Sequence, residues 1–338
     1  MKTVKTLLAL LPLLAVCSGL NGGIAFAADA KARPSAESVA PESTASKAGE
    51  AAGEAATAAE EKEHGLPQNA VEIGHVFGLP ITNSMVVTWV VALGLIVSTR
   101  VAMRKMKEVP DGAQNFWEWL IEGLYEFLES ILGPELVKKS FWFFITIFIF
   151  ILFTNWFGLI PGVGTIGWGH QGTHGFVVDQ PLLRGGNADL NMTFAMAAIF
   201  MVLWLIWALW SNGPWGFLMH IFGPKAEMAG VIKYFMIVIF FVVGILELVS
   251  IAFRPVSLSF RLFGNIFAGE NLLEALANTV QHPAWAKAVF SALLPVPFYF
   301  LELLVGLVQA FVFMLLTAVF TVLICAHEEG EGHAAEQH

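Results

Sequence analysis

Six polar side chains punctuate an otherwise apolar stretch of the chain: Glu247, Ser250, Arg254, Ser257, Arg261 and Asn265. Steps of three and four residues put all six on one stripe of an α-helix. The chemistry open to such a stripe is ionic. A guanidinium stays protonated at every physiological pH, and a lone one in hydrocarbon costs about 3 kcal/mol or more. It therefore demands water or an anion. It can also draw the proton from a carboxyl group brought beside it, by favouring the ionised form. Arg254, next to Pro255, is equally well explained by its head reaching a lipid headgroup. Arg261 has apolar sequence on both sides and carries the chemistry.

Glu270 follows in the same stretch, and the last apolar run holds Glu302 and Gln309. In an antiparallel hairpin, opposed residues share a constant sum of positions. Arg261 with Gln309 and Glu270 with Glu302 meet that condition to within two positions, and both pairings centre the turn near Trp285 and Ala286. Two carboxyls side by side in a partly desolvated site share one proton and titrate in two steps. Such a pair would accept a proton near neutral pH.

The elements that must hold these residues are membrane helices. Of 338 residues, 57% are hydrophobic and 13% charged, where a soluble domain carries about 25% charged. The fold class expected is an all-α polytopic membrane protein of about five transmembrane helices. Its last two form a long, tilted antiparallel hairpin, and an amphipathic helix lies on the cytoplasmic side. The formal net charge of -9 gathers in the tails and in that helix. Nucleic acid is excluded as a partner, because no basic cluster with interleaved aromatics occurs. The two cysteines, Cys17 and Cys325, offer no disulfide framework. No phosphate-binding GxxxxGK[ST] and no HExxH is present, and Gly162 to Gly167 matches a dinucleotide fingerprint only by chance, after a helix. His170 and His174 read as a solvated loop with Gly172 and Gly175. No cofactor or metal is expected.

In chain order, 1–27 reads as a signal peptide, with Lys2 and Lys5 before Leu7 to Val16 and a cleavage site at Ala25-Phe26-Ala27. Residues 28–73 form an Ala- and Glu-rich extension expected to be disordered outside the cytoplasm. A membrane domain spans 74–326, and 327–338 is an acidic tail. The first span, Ile81 to Thr99, is followed by Arg100, Arg104, Lys105, Lys107, Lys138 and Lys139, which makes that loop cytoplasmic by the positive-inside rule. Within it, Ala113 to Leu132 is amphipathic, with Glu118, Glu122, Glu126 and Glu129 on one face. Spans over Phe141 to Ile160 and Leu190 to Trp210 flank a Gly-rich loop, Pro161 to Ala188, and Asn212 to Met228 is a further loop. Val231 to Val280 and Ala288 to Ala326 are each read as one tilted helix, because the polar stripe keeps phase through Pro255. A cut at Pro255 would give six crossings instead of five.

Arg254 to Glu270, reading RPVSLSFRLFGNIFAGE, closely resembles subunit a of the F-type ATP synthase membrane sector, as does LVQAFVFMLLT from Leu307 to Thr317. The resemblance extends to Asn155-Trp156-Phe157-Gly158-Leu159-Ile160-Pro161 and Ala188-Asp189-Leu190-Asn191-Met192-Thr193. It implies a non-catalytic stator that conducts protons, or in some members Na⁺, past a rotating c-subunit ring. It implies Arg261 as the stator arginine with Gln309 as its partner. Glu270 and Glu302 match half-channel positions open to the outside, where many relatives carry one histidine. Glu247, Ser250, Ser257 and Asn265 match the path to the cytoplasm. The b subunits of the peripheral stalk, the F1 sector and the lipid of a bacterial inner membrane are the further partners implied. A proton-coupled secondary transporter is the competing class; such folds often carry internal repeats, and here the polar residues crowd the last third.

Overall fold

The computed structural model describes residues 70–325, apart from 77–78, 161, 164–165, 173–174, 224–230 and 280–282. The signal peptide, most of the extension and the acidic tail expected from the sequence lie outside the described residues.

Two short strands, β1 (Glu72–Val76) and β2 (Leu79–Thr82), pair antiparallel and lead into α1 (Asn83–Ala102). Then come α2 (Gly112–Gly158), β3 (Gly167–Gly172), β4 (Gly175–Pro181), α3 (Leu190–Phe222), α4 (Val231–Ala277), α5 (Ala284–Leu293) and α6 (Val296–Cys325). Among the described residues, five helical stretches are long and apolar enough to cross a membrane, the last being α5 and α6 together. The all-α polytopic class holds. In a bilayer this solution is favoured, since a helix satisfies its own backbone groups.

Two Gly-Pro pairs shape the long helices. Gly133 (φ 75°) precedes Pro134 inside α2, and Gly213 (φ 65°) precedes Pro214 inside α3. Proline bars its predecessor from helical geometry, glycine takes the left-handed turn, and the proline then starts the next helical segment. The amphipathic stretch therefore runs into the second span at a bend. It buries Trp117, Leu124, Leu128 and Leu132 and exposes Glu122 and Glu126. The loop expected from Asn212 is instead helical to Phe222 beyond that bend. Pro255, by contrast, leaves α4 continuous over 47 residues, so the described residues hold five membrane-length helical stretches and not six.

Two further expectations need correction. The Gly-rich loop 161–188 contains a β-hairpin, β3 with β4, that includes His170. The final stretch is not one helix. It breaks at Leu294–Pro295, where Pro295 and Pro297 contribute no backbone donors; the Tyr299 amide hydrogen-bonds the Pro295 carbonyl at 2.9 Å and restarts the ladder.

The core is the second half of α2, where Phe143, Phe144, Ile147, Phe150 and Ile151 are buried against Phe200 and Trp207 of α3. Helix α2 packs mainly on α6, and α3 on α4. The most apolar stretch of α4 is only 11% buried, against 72% for α2. The helix carrying the polar stripe is thus the one most open to its surroundings.

Candidate functional site

The stripe on α4 divides in two. Ser250, Ser257, Arg261 and Asn265 are exposed on the surface of the chain, and Glu247 is half-buried. Arg254 turns inward. Its guanidinium lies 4.5 Å from the ring centre of Phe320 on α6 and 5.4 Å from that of Trp204 on α3. Trp204 donates its indole N–H to the Phe320 carbonyl at 2.9 Å, fixing the aromatic box. Cation–π contacts of this kind replace the headgroup that the sequence equally allowed for Arg254. Arg261 makes no hydrogen bond or ion pair among the described residues.

One turn on, Asn265 donates from Nδ2 to Oε1 of Gln309 at 2.7 Å. Gln309 is buried, and its Nε2 has no acceptor among the described residues. Near the far end of the hairpin, Glu302 presses its carboxylate against Gly269, where a Cβ would overlap it. These two contacts run in opposite order along α4 and α6, so the helices are antiparallel, and the register falls within a few positions of that expected. Gln309 takes its hydrogen bond from Asn265, one turn along α4 from Arg261.

Glu270 sits one residue from the Glu302 contact and faces another way. Its Oε2 lies 3.8 Å from Nε of Arg184, and both of these atoms are buried. Its Oε1 fits against the backbone of Gly185, where a Cβ would collide with it, and near Gly158. The sequence reading missed Arg184. The signal available was a single basic residue in the 161–188 loop, flanked by Leu183 and Gly185.

A strap from 182 to 189 carries Arg184 to that place. Asn187 is buried and donates to Asn155 Oδ1 at 2.6 Å, while Asn155 donates to the Gly306 carbonyl at 3.0 Å and Trp156 to that of Leu303 at 3.1 Å. Both carbonyls belong to the turn of α6 immediately after Glu302. Asp189 caps α3 through the Asn191 amide at 3.0 Å and accepts from the Ser84 hydroxyl at 2.6 Å. Asn83 donates to the Pro181 carbonyl at 3.0 Å. Gly186 passes so close to Thr88 and Thr154 that a side chain there would clash with both. These ties lock α1, α2, α3 and α6 around the strap, and buried polar groups satisfied in this way specify one arrangement.

Beneath the strap lies a cavity of about 310 Å³, lined among others by Asn83, Arg184, Glu270, Glu274 and Tyr299. Its lining is largely apolar, and Asn83, Arg184, Glu270, Glu274 and Tyr299 supply its polar side chains. Among the described residues no cluster of three His, Cys, Asp or Glu could hold a metal ion.

Comparison with known proteins agrees with this architecture. The family described as ATP synthase A chain matches residues 85–322. An ATP synthase subunit a from Gloeobacter violaceus is 33% identical over 260 residues, covering 75% of this chain and 84% of the relative. One from Moorella thermoacetica is 32% identical, covering 74% and 94%. A protein from Propionigenium modestum named as a sodium-ion-specific ATP synthase subunit a is 29% identical, covering 77% and 80%. With five membrane-length helices, a family match over most of its length and relatives matched along most of theirs, the chain belongs to the ATP synthase A chain family.

Proposed function

We propose that this chain is the ion-conducting stator of the membrane sector of an F-type ATP synthase, passing protons to and from carboxylates on a rotating ring of c subunits. A ring carboxyl must be neutral to travel through lipid, because an ionised one there is very costly. Arg261 would meet it on the exposed face of α4, favour its ionised form, and so take its proton while blocking leakage straight across. The observation that carries this reading is that Arg261, a permanent cation, lies exposed on the least buried long helix with no ion pair among the described residues.

Glu270 and Glu302 would form the inlet from outside, opening through the cavity below the strap. Glu247, Ser250, Ser257 and Asn265 would line the outlet to the cytoplasm, and Gln309 would partner the arginine face. Helix α2 before Gly133 would lie on the cytoplasmic side. The mature N-terminus, freed of residues 1–27, would stand outside a bacterial inner membrane, with the extension to residue 73 before the membrane domain 74–326. The tail 327–338 would lie inside. Partners would be the c ring, the b subunits of the peripheral stalk and, through the complex, the F1 sector; catalysis on nucleotide belongs to that sector. A transporter that binds a solute among its buried charges is disfavoured because the principal cation faces outward.

Gentle-detergent purification of the tagged chain tests this. A ring of small two-helix chains and a soluble ATPase are expected with it. Recovery of the chain alone, folded and carrying a bound solute, would overturn the reading.

A further inference from the structure

The stator reading leaves one buried charge without a task. Arg184 is 4% exposed, lines the cavity, and holds Nε 3.8 Å from Glu270 Oε2, with its guanidinium carbon 5.9 Å from the ring centre of Phe267. Its position is fixed by the strap. Gly185 and Gly186 bring the backbone into contact with Glu270, Thr88 and Thr154 at distances only a residue without a side chain allows, and Asn187 and Asp189 anchor the strap at its far end. Such an arginine cannot swing aside as a surface residue would.

We propose that Arg184 is a specificity-determining residue of the inlet: its guanidinium beside Glu270 lets a proton reach that carboxylate and turns alkali cations away. A proton adds to one carboxylate oxygen, occupies almost no volume and asks for no further ligands. An alkali ion must shed water, gather several oxygens and rest within a few ångströms of a permanent positive charge in a recess screened poorly by solvent. A fixed arginine raises an electrostatic barrier to every cation, so the discrimination comes from the volume and the oxygen ligands that an alkali ion needs and a proton does not. Gly185 completes the device, because it lets Glu270 Oε1 lie against backbone while Oε2 faces the guanidinium. Neighbouring Glu274 lines the same cavity and would attract cations if the arginine charge were lost.

The inference rests on the stator reading and is tested in the intact complex reconstituted into liposomes. Proton uptake driven by a potassium diffusion potential is measured in NaCl and in choline chloride at equal ionic strength. The unaltered complex should conduct protons equally in both salts. Arg184→Gln should conduct in choline and lose flux in NaCl, with half-inhibition at a Na⁺ concentration roughly tenfold or more below that of the unaltered complex, a lower bound for removing one nearby charge. Arg184→Lys should be insensitive to Na⁺ at a pH where the introduced amine is protonated and become sensitive as pH rises and that amine loses its proton. Should Arg184→Gln not assemble, Glu270→Asp decides, since a shorter acid draws back from the guanidinium and must make flux sensitive to Na⁺. Flux that does not distinguish the salts in Arg184→Gln, or in Glu270→Asp where that variant decides, would overturn the proposal. No proton flux in the unaltered complex would instead overturn the stator reading.

Discussion

Asn265 Nδ2 and Gln309 Oε1 are 2.7 Å apart, joining the two long helices one turn from Arg261. This places the Arg261 face at a fixed height against α6. The bond is partly buried, and its loss strands the Gln309 carbonyl, at a cost of about 1 to 3 kcal/mol. Asn265→Leu and Gln309→Leu should each weaken coupling of proton flow to ATP synthesis. The double variant should lose much less than the sum of the two free-energy effects, the mark of one shared contact. Additive losses in ATP synthesis by reconstituted complexes would show that the residues act separately.

Gly269 is a second point of contact, and here space decides. Alanine would normally favour a helix over glycine by about 1 kcal/mol, yet its Cβ would overlap the Glu302 carboxylate. Gly269→Ala is expected to impair proton conduction while the protein still inserts, and Glu302→Asp in the same chain should restore part of it by withdrawing the acid. Normal conduction in Gly269→Ala would mean that Glu302 has room to leave the helix interface freely.

The aromatic box around Arg254 is structural. Arg254→Gln keeps length and polarity but abandons Trp204 and Phe320, for a loss of about 1 to 2 kcal/mol. The complex should melt at lower temperature in detergent, with ion specificity and coupling stoichiometry unchanged. An unaltered melting temperature together with lost coupling would move Arg254 from the scaffold to the ion path.

Much of this is legible in the sequence, for physical reasons. Apolar length marks the five crossings, and the three-and-four spacing from Glu247 to Asn265 marks the helix face on which Arg261 lies, because lipid tolerates polar groups only where something answers them. Pro255 interrupts neither the stripe, which keeps its phase there, nor the helix. Other features depend on three-dimensional partners and leave weaker signals. Gly133-Pro134 and Gly213-Pro214 are visible as pairs, but whether a helix resumes after such a bend is decided by packing. Arg254 turns inward because Trp204 and Phe320 come from two other helices. Arg184 escapes a sequence reading because its partner, Glu270, is far away in the chain, and the strap that joins them is held by asparagines whose contacts no periodicity reveals.

Topology gives a separate prediction. Five crossings with the Arg100 to Lys107 loop in the cytoplasm put the mature N-terminus outside and His338 inside. A reporter fused after His338 that works only in the cytoplasm should be active, and one fused near Gly74 should report the outside. Activity on the outer side for both fusions would restore a sixth crossing and reverse the inlet and outlet.

The Arg261 charge, on the stator reading, serves a partner beyond this chain and not its own fold. The direct measurement is proton-driven ATP synthesis by reconstituted complexes carrying Arg261→Lys or Arg261→Ala, alongside subunit composition and ATP hydrolysis. Complete assembly, retained hydrolysis by the soluble sector and loss of proton-driven synthesis are expected in both variants, because a desolvated lysine can surrender its proton where arginine does not. A fully assembled Arg261→Ala complex that still makes ATP from a proton gradient would contradict this.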